Sequence, residues 1–211
     1  ETGYTASHTV EEYLKSPNLL WLRYLNTLVS GNVGPAPMRT AFMEFKDYAG
    51  WTDFEATNLE RTHILYDLFW INWKRVLWDA DESLTVKGHE RTEASPGGYL
   101  FLFRFAFKDG KAAEGEKFIK GALSGVDLKS NEGFLEQRGF SNGLWQDDYH
   151  HLLWFEFSSM AALSSSVYES GELMGILTEA KQKYFSNYAT SIMVPSAGSQ
   201  GGQFFQGGAL E

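Results

Sequence analysis

The stretch Tyr99-Leu-Phe-Leu-Phe-Arg-Phe-Ala-Phe107 constrains this chain more than any other. Its odd positions are Tyr99, Phe101, Phe103, Phe105 and Phe107; its even positions are Leu100, Leu102, Arg104 and Ala106. Side chains alternate across a β-strand, so an extended backbone gathers five aromatic rings on one face. Such a face leaves water only when it is covered. The strand over 99–108 is therefore expected to be central, with Phe101, Phe103 and Phe105 buried. The other face is apolar at one end and cationic at the other, through Arg104 and Lys108.

The rest of the composition sets limits. A chain of 211 residues makes one large domain or two small ones. Aromatics are in surplus, with 16 Phe, 10 Tyr and 7 Trp. Asp and Glu outnumber Lys and Arg, 27 to 18, for a net charge of −9. An acidic chain repels phosphate backbones, so no nucleic-acid partner is expected. No apolar run approaches the ~18 residues of a membrane span, so no membrane partner is expected either. Cysteine is absent, which excludes disulfides, thiolate catalysis and Cys-based metal sites. No Asn-X-Ser/Thr acceptor occurs. The start, Glu-Thr-Gly without Met, reads as processed or vector-derived. The compartment is open: cytoplasmic by default, secreted as the alternative.

Local patterns divide the chain. Residues 1–8 read as disordered or extraneous, 9–196 as a single α+β domain, and 197–211 as a flexible Gly-rich tail. Within the domain, 9–97 forms an N-terminal half and 98–196 a second half. Thr9-Val-Glu-Glu12 is a capping box. Leu20, Tyr24 and Leu28 fall four apart after Pro17, which predicts a helix over 17–30 ended by Gly31. Met38 to Asp47 reads as a strand. Thr52-Asp-Phe-Glu55 is a second capping box, opening a helix that runs to about Ala80. Leu84 to Glu93 is a weak strand. After the central strand come a helix over 112–124, a hairpin of 134–141 with 149–158, a helix capped by Ser170, and a strand from Tyr188 to Val194.

From Tyr99 the order is therefore strand, helix, strand, strand, helix, strand, the ferredoxin-like βαββαβ order. The run Trp154-Phe-Glu-Phe-Ser-Ser-Met-Ala-Ala-Leu163, followed by Ser164-Ser-Ser-Val-Tyr168, adds a more specific likeness. It resembles the dimeric α/β-barrel superfamily, which includes the antibiotic-biosynthesis monooxygenases and the stress-responsive A/B-barrel proteins. There an aromatic-rich third strand is followed by a Ser that starts a short turn, then Ala-Leu. The resemblance covers about residues 98–195. It implies an antiparallel sheet with helices packed on one face. Tyr99–Phe107 and Tyr149–Phe157 also match at four of nine places, as a degenerate tandem repeat would. A complete tandem needs eight strands, and six are predicted. The N-terminal half therefore reads either as most of a second unit or as a helical cover.

Candidate sites follow from residue chemistry. Asp147-Asp-Tyr-His-His151 is the densest group of potential ligands. Successive His residues on a strand point to opposite faces, so no metal site is expected. His150, Leu152, Trp154 and Glu156 share one face. Arg104 is the one cation within the aromatic strand and needs a carboxylate or a bound anion, with Glu156, Glu136 and Glu44 as candidate partners. His89 and Arg91 share a polar face that suggests solvent. No nucleotide loop, His-Glu-X-X-His or Gly-X-Ser-X-Gly occurs.

The resemblance implies a pocket for an aromatic or polycyclic small molecule, and cofactor-independent oxygenation or cyclisation. His150 would be the acid/base, Arg104 the stabiliser of a developing oxyanion, and Glu156 a third catalytic group. Trp154, Leu152 and Leu102 would form the walls. No cofactor is expected on this reading. A homo-oligomer is, with the face of Tyr99, Phe101 and Phe103 as a contact. The alternatives are a non-catalytic ligand-binding or assembly protein of the same fold, and a haem-binding protein.

Overall fold

The computed structural model describes residues 13–31, 39–69, 76–92, 97–144, 148–195 and 205–206. The chain divides into two compact units. One takes residues up to Leu25, then Arg39–Lys74 and Ser196–Glu211; the other takes Asn26–Met38 and Arg75–Pro195. The chain is α+β, with eight strands and four α-helices among the described residues.

Strand β1 (Leu19–Gly31) occupies the place where a helix is expected. The stripe Leu20, Tyr24 and Leu28 explains the difference. Positions four apart share a face in a helix and also in a strand, because four is a multiple of two. The segment carries five Leu, but Trp21, Tyr24, Thr27 and Val29 among them suit a pleated sheet. Strand β2 (Arg39–Phe45) matches its expected span and lies beside β1. Helix α1 (Tyr48–Phe69) starts a turn earlier than the Thr52 box predicts. Asp47 is the residue that opens it, its Oδ1 accepting the Gly50 amide at 2.7 Å. Thr52 lies inside the helix and donates its hydroxyl to the Tyr48 and Ala49 carbonyls. The helix does not reach Ala80. Residues 70–75, with Trp70 and Trp73, lie outside the described set, as does the Thr9 box, and Leu77 already belongs to a strand. Tyr13, Leu19, Leu22 and Phe54 form the core of the first unit. The expected tail contains a short strand, β8 (Phe205–Gln206), paired antiparallel with Trp21 and Leu22 of β1.

The second unit carries β3 (Leu77–Lys87), β4 (Tyr99–Phe107), α2 (Ala112–Leu123), β5 (Phe134–Leu144), β6 (His151–Phe157), α3 (Met160–Ser164), α4 (Glu172–Lys183) and β7 (Phe185–Pro195). Its strands run in the order β7-β4-β6-β5-β3, every pair antiparallel. Eight strands exceed the four of a bare βαββαβ unit, and β1 and β3 supply part of the excess. Gly171, at φ +71°, opens α4 in the left-handed region, one residue after the expected Ser170. Ser159 caps α3 by accepting the Ala162 amide, and the chain then widens into a π-turn over Ser165–Glu169.

Strand β4 is central, between β7 and β6, as its five-aromatic face requires. Phe101, Phe103 and Phe105 are buried and share a core with Ile119 and Leu123 of α2 and Leu173 and Leu177 of α4. Phe103 stacks on Tyr188, with ring centroids 6.0 Å apart, and Phe105 on Phe185 at 4.3 Å. Two aromatic contacts of this kind add roughly 0.5–1.5 kcal/mol each beyond burial itself. Phe101 and Phe103 therefore lie inside the unit, and Tyr99 is half-buried against the same core. The face that could have served as an oligomer contact is consumed by the helices.

Candidate functional site

Register decides which even-numbered residues meet. Leu100 lies opposite Glu156, Leu102 opposite Trp154, and Arg104 opposite Leu152. On the far side of β6, Glu136 faces Glu156, Arg138 faces Trp154 and Phe140 faces Leu152. On the far side of β4, Met193, Ser191 and Ala189 complete the same three rows. Five of the six candidate residues (Leu102, Arg104, Leu152, Trp154 and Glu156) thus occupy one sheet face. Leu102, Leu152, Trp154 and Glu156 are buried there, and Arg104 is half-buried. His150 is not with them. Its amide donates to the Phe105 carbonyl, which continues the ladder, but its side chain is exposed.

The expected Arg104–Glu156 pair does not form. The two residues are separated by four rungs, roughly 13 Å at the rise of an antiparallel strand. The guanidinium of Arg104 lies over the Tyr149 ring instead, 5.0 Å from its centroid. Glu156, fully buried, has a different cation. Arg91 Nη2 donates to its Oε2 at 2.7 Å, and the Gly98 amide donates to its Oε1 at 3.1 Å. Gly97 holds φ +85°, and a Cβ there would strike the Glu156 carboxylate. Arg91 also approaches Glu136 at 3.5 Å, and Glu136 pairs with Lys87. The polar segment 85–91 is thus not simply a solvated face. It carries the cations of two buried carboxylates.

A small cavity opens beside the start of β6. Its volume is about 110 Å³. Phe105, Phe107 and Phe140 form aromatic walls, with His151, Asp81 and Lys120 among the polar lining. His151 stacks on Phe105 at 5.2 Å and meets the edge of Phe107 at 4.8 Å. Burial holds its pKa below the ordinary 6.5, helped by His150 and opposed by the Glu116 and Asp81 carboxylates. The imidazole is therefore neutral near neutral pH, able to accept a proton. Burial pushes Asp81 up, yet hydrogen bonds from Ser83 and Lys120 outweigh it and hold Asp81 below 3.8. Lys120 Nζ lies 3.0 Å from its carboxylate.

A wider cleft of about 500 Å³ is lined by Ser130, Asn131, Ser165, Ser166 and Ser170, together with Asp127, Glu132 and Glu172. Asn131 ties it together by donating to the Ala162 carbonyl and the Ser166 hydroxyl. Among the described residues no group of three His, Asp or Glu could hold a metal ion.

No family model matches the sequence, and no curated protein matches it. Solved structures do. A candidate monooxygenase from Fusobacterium nucleatum superposes with a TM-score of 0.64 at 12% identity, over 98% of this chain and 91% of that one. A candidate monooxygenase from Lactobacillus acidophilus gives 0.61 at 10% identity, over 96% and 86%. An anthrone oxidase-like protein gives 0.59 at 8% identity, over 91% and 85%. The chain shares the fold of these three proteins.

As candidate site residues, the sequence named Tyr149 and His151 only within a group of potential metal ligands, and Arg91 only on a polar face. For His151 the signal was present: it continues the odd face of β6, with Leu153, Phe155 and Phe157, and lies opposite Phe105. The five-ring face of β4 therefore extends onto β6, and an imidazole sits at its end.

Proposed function

We propose that this chain is a small-molecule enzyme of the cofactor-independent monooxygenase kind, acting on a single-ring phenol. The observation that carries the reading is the aromatic cavity closed by a half-buried, neutral His151. Similarity in fold to the two candidate monooxygenases and the anthrone oxidase-like protein supports the reaction class. The volume, about 110 Å³, narrows the ligand. An engineered cavity of about 150 Å³ admits benzene, so this smaller one excludes a polycycle and holds one ring at most. The same comparison leaves a porphyrin without room beside His151.

The chemistry follows from the imidazole. His151 takes the phenolic proton, and the resulting phenolate is electron-rich enough to react with dioxygen. For a dihydroxybenzene the balance closes without a further reductant. One oxygen atom enters the ring, the other leaves as water with two substrate hydrogens, and the ring becomes a hydroxyquinone. Dioxygen is the oxidant and the substrate the reductant. Excluding bulk water protects the phenolate from reprotonation, and Phe105, Phe107 and Phe140 do this.

The βαββαβ portion from β4 to β7 is, on this reading, the ferredoxin-like unit that frames the site. The test is oxygen uptake with hydroquinone, corrected for autoxidation. His151→Ala should abolish the protein-dependent rate, and His150→Ala should retain it. Equal rates in both variants and the parent protein would remove the reading.

A further inference from the structure

Tyr149 is buried, 5% exposed, and its hydroxyl has no hydrogen-bond partner among the described residues. A buried hydroxyl without a partner is costly, so native proteins seldom leave one. Arg104 is half-buried and lies over the Tyr149 ring, and no carboxylate stands within ion-pair distance of it among the described residues. Glu156, the acid expected to neutralise it, belongs to Arg91.

A phenol O–H and a guanidinium are both donors, and a guanidinium has no acceptor at all. A buried phenol and a half-buried guanidinium beside it are both suited to an anionic oxygen. The guanidinium offers its N–H groups in a planar fork that fits a carboxylate. The phenol supplies one further donor. We infer that Arg104 and Tyr149 form a binding subsite for the carboxylate of a small organic acid. Nothing in this requires His151 or the proposed oxygenation. Arg104 leaves β4 on the side opposite Phe105 and Phe107, which line the His151 cavity.

The test is thermal unfolding of the full chain in sodium acetate, against matched sodium chloride and against acetamide, the neutral isostere. Acetate should raise the Tm saturably, and acetamide should not. Tyr149→Phe deletes an unsatisfied group, so its Tm in chloride should equal or exceed that of the parent protein. Its acetate response should need at least tenfold more ligand. Arg104→Gln, at a half-buried position, should fold and lose the response. His151→Ala should keep it, which separates this subsite from the oxygenation reading. Equal responses to acetate and acetamide would overturn the inference. So would a lower Tm for Tyr149→Phe in chloride, because it would show that the hydroxyl already bonds within the protein.

Discussion

Arg91 reaches Glu156 at 2.7 Å, joining the segment after β3 to the middle of the sheet. The Glu156 side chain is wholly buried, and that of Arg91 is one-third exposed. Removing one partner of a fully buried pair costs about 3–5 kcal/mol, and partial hydration of Arg91 lowers the expectation for Arg91→Leu to about 2–4 kcal/mol. The double variant Arg91→Leu/Glu156→Gln should recover much of the loss, since no buried charge is then stranded. Urea unfolding measures both. A loss under ~0.5 kcal/mol for Arg91→Leu, the level of an ordinary surface change, would show that the pair does not hold the carboxylate.

Arg104 should behave differently. Its neighbour is a ring and not a carboxylate, so Arg104→Leu forfeits a cation–π contact worth about 0.5–1 kcal/mol and strands no charge. A loss of several kcal/mol would mean that Arg104 neutralises a buried acid after all.

The contrast shows how far the sequence could be read. Period-two alternation was legible: it placed β4 at the centre, Phe101 and Phe103 inside, and Leu102 with Arg104 on the opposite face. Hairpin 134–158 and the two helices around it were legible for the same reason, because turn residues and periodic faces are local. Register was not. Whether Arg104 lies opposite Glu156 or Leu152 depends on where two distant strands stop sliding, and no local pattern encodes it. Strand β1 was missed because a four-residue spacing satisfies both periods. Arg91 was missed because burial of Glu156 by a segment 65 residues away is a long-range fact.

Phe103 lies among Phe105, Phe185 and Tyr188. Phe103→Ala should cost about 3–5 kcal/mol by lost transfer energy and a cavity. Thermal or urea unfolding checks it, and a cost below ~1 kcal/mol would deny the core its central strand.

The pH dependence follows from His151. Its pKa is lowered in the folded state, so between that value and 6.5 the unfolded chain binds the extra proton. Stability from this group is fully present above 6.5 and is lost as pH falls through the folded value. The Tm of the parent protein should drop on acidification from pH 7, and His151→Leu should flatten that part of the curve. An unchanged slope would mean that the imidazole titrates as a solvated group.

The most direct measurement is side-chain NMR of the five histidines during titration with phenol. Phenol entering the cavity stacks against Phe105 and Phe107 and must perturb the imidazole that lines it. The account predicts a saturable shift of the His151 ring resonances, with those of exposed His150 following only weakly. A titration in which His151 stays still, or in which His150 alone responds, would contradict it.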